Sequence, residues 1–301
     1  MTDITKEQAG RHLGKAVTYA DQYDSNLLVA VERIHNRVGY GIDESALPFI
    51  GYDTWNAYEV SFLLENGFPV SCVAKISYPC DSHSIVESKS IKLYLNSFNM
   101  TKFPGTKDGA VKAVEKIIAS DLTNLLGATV SVAMHFESRD VALWNKYEHD
   151  PFLELEDVIT AEDIEFTHFN EDPEILQLET NPEYSGALRV HSNLLRSNCR
   201  ITNQPDWGDV YIHIEGMQIP TAESLTQYIV SMRKESHFHE EICECIYKRL
   251  WDKFQPEKLM VTCIYTRRGG IDICPARASH SELLSNSLKD VHAHVAKTLR
   301  Q

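Results

Sequence analysis

The sequence predicts an α+β fold in which two similar modules each form an antiparallel sheet with helices packed on one face. Both halves of the chain contain predicted strands and helices in the same order. The strands are indicated by alternating apolar residues and the helices by apolar residues at helical spacing. A helical segment of the first half also resembles one of the second half. With 301 residues and 43% hydrophobic content, the chain is long enough for two domains of about 100 to 200 residues.

Two helices and a strand are predicted in the first half. Residues 86–98 place apolar side chains at helical spacing, and Ser88 or Ser90 is suited to the N-cap. Residues 107–126 predict a long amphipathic helix that stops at Gly127. The following apolar positions alternate as in a strand with one buried face: Val130, Val132, Met134 and Phe136.

The second half repeats this order. Its predicted elements are a strand over 210–214, helices over 225–232 and 242–250, and a strand over 259–266. Between the halves, an acidic stretch with three prolines and no sustained period indicates an ordered or partly ordered connector. The predicted division is an N-terminal module over 1–147, the connector over 148–183 and a C-terminal module over 184–301.

An internal duplication explains the repeated order. Residues 85–97 resemble residues 220–231, with Tyr94 over Tyr228 and Ser97 over Ser231 once two residues are gapped. Each module is therefore expected to follow the order strand, strand, helix, helix, strand, strand.

Composition restricts the location and the partners of the chain. A formal charge of -14 disfavours broad contact with nucleic-acid backbones. Seven scattered cysteines, an odd number, suit a reducing cytoplasm. The N-terminus has no apolar signal region, and no stretch approaches the length of a membrane helix, so we expect neither secretion nor membrane insertion.

Cys199 and Asp206 are the first candidate catalytic pair. They flank a segment rich in turn residues, and a tight loop would bring thiol and carboxyl together as nucleophile and proton donor. The alternative is an inert buried cysteine beside a turn aspartate, which is the commoner role of a cysteine taken alone.

Two other segments suit an anion. Glu87, Ser88 and Lys89 fall at the start of a predicted helix, where free N–H groups, a hydroxyl and a lysine favour phosphate. Arg268 and Gly269 follow a predicted strand and also suit a phosphate. The alternatives are an ordinary capped helix with solvated charges and a hairpin turn with exposed arginines.

The string SHFHEE (236–241) is predicted to open a helix. His237 and His239 have a spacing that disfavours zinc, and no second ligand cluster is present in the sequence, so no metal is expected. A buried Glu240 suits two N–H donors of a planar base, since a carboxylate accepts both. The alternative for Glu240 is a solvated residue favoured by the helix dipole.

Together these strings resemble the bimodular NADPH-dependent 7-cyano-7-deazaguanine reductases, tunnelling-fold enzymes of queuosine biosynthesis. The resemblance covers nearly the whole chain. It rests on TWNAYEVSFL (54–63), ESKSIKLYLNSFN (87–99), HSNLLRSNCRITNQPDWG (191–208), YIVS with FHE (228–231 and 238–240) and YTRRGGIDI (265–273). It implies two tandem tunnelling-fold modules and a homodimer, with an active site where modules meet.

The resemblance also implies roles for residues. Cys199 would attack the nitrile carbon to give a thioimide, and Asp206 would donate protons. Substrate contacts would come from Val86, Glu87, Ser88, His239 and Glu240. NADPH, needed twice per turnover, would contact Ser88, Lys89, Arg268 and Gly269. Two departures from the family pattern are ESH at 235–237, where HNE is common, and Cys274, where Asn is usual before Pro275.

Two other functions compete with this one. The first keeps the fold but makes the protein a pterin or purine cyclohydrolase with a metal-bound water, which requires Cys and His ligands that the sequence does not offer. The second is a non-catalytic module that binds a purine nucleotide or RNA, with Cys199 merely structural. The acidic charge balance disfavours RNA.

Overall fold

A computed structural model describes residues 20, 22–136, 152–160, 164–180 and 186–293. The strands are β1 (Ala30–Glu32), β2 (Ile50–Leu64), β3 (Pro69–Pro79), β4 (Ser84–Val86), β5 (Lys102–Phe103), β6 (Ser131–His135), β7 (Leu153–Glu154), β8 (Gly186–Ser192), β9 (Arg196–Cys199), β10 (Pro205–Gly216), β11 (Ser236–His237), β12 (Lys258–Tyr265) and β13 (Ile271–Ala278). The α-helices are α1 (Ile34–Arg37), α2 (Ser88–Ser97), α3 (Lys107–Leu126), α4 (Ala222–Ser231), α5 (His239–Phe254) and α6 (Asn286–Lys289).

The long helix α3 illustrates how local sequence sets an element. The Thr106 side chain caps its start by accepting from the N–H of Gly109, and Gly127 ends it with a left-handed φ of 64°. The predicted bounds are confirmed. Two other predicted bounds are wrong. The strand after α3, predicted to include Phe136, ends at His135. The helix predicted to open at residues 236–241 begins only at His239, because His237 lies in strand β11 and pairs with β9.

One sheet joins both halves of the chain. Its main path runs β11-β9-β10-β12-β13-β2-β3-β6, and nearly all neighbours are antiparallel. The halves meet where β13 pairs with β2 over eight residues, from Ile271 opposite Ala57 to Ala278 opposite Ile50. In the second half the four predicted strands and two predicted helices are present as β8, β10, α4, α5, β12 and β13, but two short strands that were not predicted, β9 and β11, interrupt this order. In the first half a strand after β6 would fall on residues outside the described ones.

The four longer helices cover one face of this sheet. Ile212 packs with α4 and α5 and Trp55 packs with α2 and α3, whereas Tyr211 and Tyr52 belong to a cluster on the opposite face. The predicted α+β class, with helices on one face of an antiparallel sheet, is confirmed. The short helix α6 is an exception, because its Leu288 packs on the opposite face.

The predicted echo between the halves has a structural counterpart. Tyr94 in α2 and Tyr228 in α4 are both fully buried. The Oγ of Ser97 donates to the carbonyl of Tyr94 at 2.6 Å, and the Oγ of Ser231 donates to the carbonyl of Tyr228 at 2.7 Å. The same residues therefore end both helices in the same way.

The described part of the acidic connector packs against the second half. Leu155 and Leu176 are buried in its core, and Glu171 accepts hydrogen bonds from Arg249 at 3.0 and 3.2 Å. Connector residues 148–151, 161–163 and 181–183 lie outside the described residues, as do residues 1–19, on which the prediction of no signal segment rests. Within the part of the chain that is described, no helix is long and apolar enough to cross a membrane.

Candidate active site

A cavity of about 280 Å³ opens between the two halves of the chain. Its walls are the start of α2, the β9–β10 hairpin, the start of α5 and the β12–β13 turn. Nine of the ten predicted site residues line it: Val86, Glu87, Ser88, Lys89, Cys199, Asp206, His239, Glu240 and Arg268. The tenth, Gly269, follows Arg268 in a turn with φ of 54°, where a Cβ would lie 3.1 Å from Nζ of Lys92.

The β9–β10 hairpin brings Cys199 close to Asp206. The N–H of Cys199 donates to the carbonyl of Gln204 at 2.8 Å, and its carbonyl accepts from the N–H of Asn203 at 2.9 Å. Asn203 has a left-handed φ of 54°, which allows this tight return. Because Ser197 lies opposite Asp206, Cys199 is the diagonal neighbour of Asp206 on the same face of the hairpin.

Cys199 differs from the other six cysteines. They are all buried, whereas Cys199 is partly exposed and faces the cavity. Lys92, which was not among the predicted site residues, lines the same cavity, and burial together with the charge of Arg268 lowers its pKa. Its signal was present in the sequence, since it follows Ser88 by one helical turn and so shares its face.

Asp206 is buried between two basic side chains. Arg268 forms an ion pair with its Oδ1, and Nε2 of His239 lies 3.4 Å from the same atom. Burial alone would raise the pKa of Asp206, but the hydrogen bond from His239 and the charges of His239 and Arg268 lower it overall. At rest Asp206 is therefore a carboxylate, which must first gain a proton before it can donate one.

His239 and Glu240 begin helix α5 and face the cavity. The ring of His239 stacks on Tyr265 with centroids 3.8 Å apart. Glu240 is 3% exposed, as the base-binding hypothesis requires, and its Oε1 has no hydrogen-bond partner among the described residues. Burial and the charge of Asp53 raise the pKa of Glu240 to about 8. A ligand that donates N–H groups would stabilise the carboxylate and satisfy this atom.

The start of α2 differs from its prediction. Glu87 is the N-cap instead of Ser88 or Ser90, and its carboxylate accepts from the N–H groups of Lys89 and Ser90 at 2.9 and 2.7 Å. These N–H groups, predicted to be free for an anion, are therefore occupied. Glutamate is a less common N-cap than serine, so the local sequence favoured Ser88 or Ser90.

The cavity wall still suits a dinucleotide phosphate. Ser88, Lys89, Lys92 and Arg268 place a hydroxyl and three cations around one cavity in a chain of net charge -14. Ammonium and guanidinium groups are the usual phosphate contacts of proteins, so this set of donors fits NADPH.

The residues considered for a metal and the two departures from the family pattern take different places around the cavity and the sheet. Among the residues that the structure describes, no group of three or more His, Cys, Asp and Glu is placed to hold a metal ion. His237 lines the cavity and lies 2.9 Å from Oε2 of Glu235 and 2.8 Å from Oε1 of Glu241. Cys274 is fully buried on the opposite face of the sheet, 3.7 Å from Asp272 Oδ1.

Comparison with known proteins gives a consistent result. Residues 19–134 match the family described as nitrile reductase, 7-cyano-7-deazaguanine-reductase N-term, and residues 205–283 match the family of the QueF-like protein. A relative from Colwellia psychrerythraea strain 34H, named NADPH-dependent 7-cyano-7-deazaguanine reductase, is 40% identical over 96% of this chain and 95% of its own. Relatives with the same name from Polaromonas strain JS666 and Acidovorax ebreus strain TPSY are each 41% identical over 92% of this chain and 96% of their own. This chain therefore belongs to the family of the NADPH-dependent 7-cyano-7-deazaguanine reductases.

Proposed function

We propose that this protein reduces the nitrile of 7-cyano-7-deazaguanine to an aminomethyl group, with two NADPH consumed per turnover, as a step of queuosine biosynthesis. One observation carries the proposal. A partly exposed thiol, a buried carboxylate flanked by basic side chains and a second buried carboxyl group, whose Oε1 has no hydrogen-bond partner among the described residues, line one cavity. That set provides a nucleophile, a proton carrier and a recognition group for a planar base.

The first step uses Cys199 and Asp206. The resting carboxylate of Asp206 accepts the thiol proton, and the sulfur of Cys199 adds to the nitrile carbon. Asp206 then returns that proton to the nitrile nitrogen. An S–H bond and one π bond of the nitrile break, a C–S and an N–H bond form, and the product is a thioimide on Cys199.

Reduction follows on the same residues. When bound, NADPH supplies one hydride per molecule. Two protons from solvent complete the balance, one returning to the sulfur of Cys199 as it departs and one passing through Asp206 to the product nitrogen. In this proposal Ser88, Lys89, Arg268 and Gly269 hold the cofactor, and the cavity walls keep water from the intermediate.

Substrate recognition is assigned to residues from both halves. Glu240 accepts hydrogen bonds from the base, His239 adds a polar contact, and Val86, Glu87 and Ser88 contribute the opposite wall. The unpaired Oε1 of Glu240 at the cavity supports this role, since the paired N–H donors of the base would favour the charged form that burial disfavours.

We further propose a cytoplasmic homodimer that does not bind nucleic acid directly. Seven cysteines without a disulfide support a reducing compartment, and the charge of -14 supports the absence of an RNA partner. The same proposal keeps two tunnelling-fold modules, at 1–147 and 184–301, with 148–183 as their connector.

The decisive test replaces Cys199 with alanine. We expect Cys199→Ala to abolish NADPH oxidation driven by 7-cyano-7-deazaguanine and to eliminate the covalent adduct in intact-mass spectra. Cys72→Ala, at a buried cysteine outside the cavity, is the control and should keep both signals. An unchanged rate in Cys199→Ala would reject the nucleophile, and zinc that is stoichiometric and required for activity would favour the cyclohydrolase.

A further inference from the structure

Three buried polar atoms around the cavity have neither a hydrogen-bond partner nor an ion-pair partner within the described part of the chain, whereas Nδ1 of His237 lies 2.8 Å from Oε1 of Glu241. They are Nε1 of Trp55, Nδ1 of His239 and Oε1 of Glu240, and all three residues line the cavity. Buried polar groups of folded proteins are nearly always paired, so three unpaired atoms around one cavity indicate a ligand that pairs with them.

Trp55 is the member of this group without an assigned role. It lies in β2 opposite Ile273 of β13, at the junction of the two halves, and Ile273 also lines the cavity. Its side chain is 1% exposed and packs in the apolar cluster that contains Val86 and Ile91. The indole N–H is a donor only, so an acceptor has to satisfy it.

The edge of a guanine-type base supplies the missing partners. Along that edge lie two neighbouring N–H donors, the 2-amino group and the ring nitrogen. The 6-carbonyl oxygen, which only accepts, lies next to the ring nitrogen. A carboxylate accepts both donors at once. The carbonyl then needs a donor beside that carboxylate, and a buried donor discriminates strongly against a base with the opposite pattern.

We propose that the indole N–H of Trp55 donates to the 6-carbonyl oxygen of the deazaguanine and makes the site selective for a 6-oxo over a 6-amino base. This inference rests on the proposed substrate. Trp55 is a specificity-determining residue and takes no part in the transfer of protons or hydride.

The test compares Trp55→Phe with the wild type on two substrates. One is 7-cyano-7-deazaguanine, and the other is its analogue with an amino group in place of the 6-carbonyl. Phenylalanine keeps an aromatic ring but has no N–H. We expect KM for the oxo substrate to rise about tenfold, as for a lost buried hydrogen bond, with little change in kcat. The preference for the oxo substrate should fall by a similar factor.

The ratio of the two kcat/KM values separates recognition from folding, because the fraction of folded enzyme cancels in it. Trp251→Phe is the matched control, since Trp251 is partly buried on α5, does not line this cavity and should leave the ratio unchanged. Equal losses on both substrates in Trp55→Phe would overturn the inference. An unchanged ratio of the two kcat/KM values in Trp55→Phe, together with a loss of the preference for the oxo substrate in His239→Phe, would also overturn the inference. A wild type that does not reduce 7-cyano-7-deazaguanine would instead reject the proposed function.

Discussion

Arg268 contacts Asp206 in this structure and is also a proposed contact of NADPH. One guanidinium serves both partners only if it moves from the carboxylate to a phosphate, or if it bridges them. Its charge helps to keep Asp206 ionised, which suits the first step, where Asp206 accepts the thiol proton.

Removal of Arg268 should therefore alter the pH dependence of thioimide formation. In Arg268→Gln the pKa of Asp206 should rise, so a smaller fraction of Asp206 is ionised in mild acid. The acidic limb of the profile of rate against pH should therefore move to higher pH. The rate of adduct formation without NADPH, followed by intact mass, isolates this effect from cofactor binding. Arg267→Gln is the control, because Arg267 stacks over the ring of Tyr58. Identical acidic limbs in wild type and Arg268→Gln would contradict the role of Arg268.

The C-terminal segment around α6 is held to the sheet by side-chain donors. The hydroxyl of Tyr52 donates to the carbonyl of Ser285 at 2.6 Å, and Thr54 donates to that of Leu288 at 3.0 Å. The buried ammonium of Lys75 donates to three carbonyls of the segment. Its acceptors are Ser287 at 2.6 Å, Asp290 at 2.7 Å and Ala293 at 2.9 Å. A helix of four residues has little stability alone, so these bonds fix its position.

Lys75→Met should loosen this segment. Methionine keeps an apolar chain but leaves three carbonyls without a donor, and each unsatisfied group costs about 1–3 kcal/mol unless water reaches it. We expect faster hydrogen exchange at the amides of residues 289–293 and a lower melting temperature. Lys258→Met is the control, since the Lys258 side chain is 39% exposed and its pair with Glu215 spans 3.6 Å. Exchange rates equal to those of the wild type would show that Lys75 does not hold the segment.

A buried network of charges joins the two halves of the molecule. Glu244 of α5 accepts from Arg37 at 2.8 and 2.9 Å and from Arg277 at 2.9 and 3.1 Å, and Arg277 also donates to Asp53 at 2.9 Å. Burial would raise the pKa of Glu244, but Arg277, Arg37 and Arg33 lower it overall. Its depressed pKa contributes stability at neutral pH that is lost as the pH falls through the folded-state value.

Glu244→Gln should destabilise the whole molecule. The change leaves three buried arginines, Arg33, Arg37 and Arg277, with too little negative charge, and breaking a buried pair costs about 3–5 kcal/mol. The urea midpoint at pH 7 measures the loss, which should shrink in acid as the wild-type carboxyl is protonated. Glu174→Gln is the control, because the Glu174 side chain is 88% exposed in its ion pair with Lys253. This change should cost at most about 1 kcal/mol. Equal midpoints for both variants would show that the network does not stabilise the fold.

The sequence by itself determined the four longer helices and half of the residues that line the cavity. Local rules suffice for these, because apolar spacing and the stop at Gly127 depend on neighbours along the chain, and Cys199 and Asp206 lie close enough in sequence for one hairpin to join them. Only the tertiary structure decided that Arg268 pairs with Asp206 and that Trp55 belongs to the cavity. These features depend on contacts between segments far apart in the sequence, and local periodicity carries no information about such contacts.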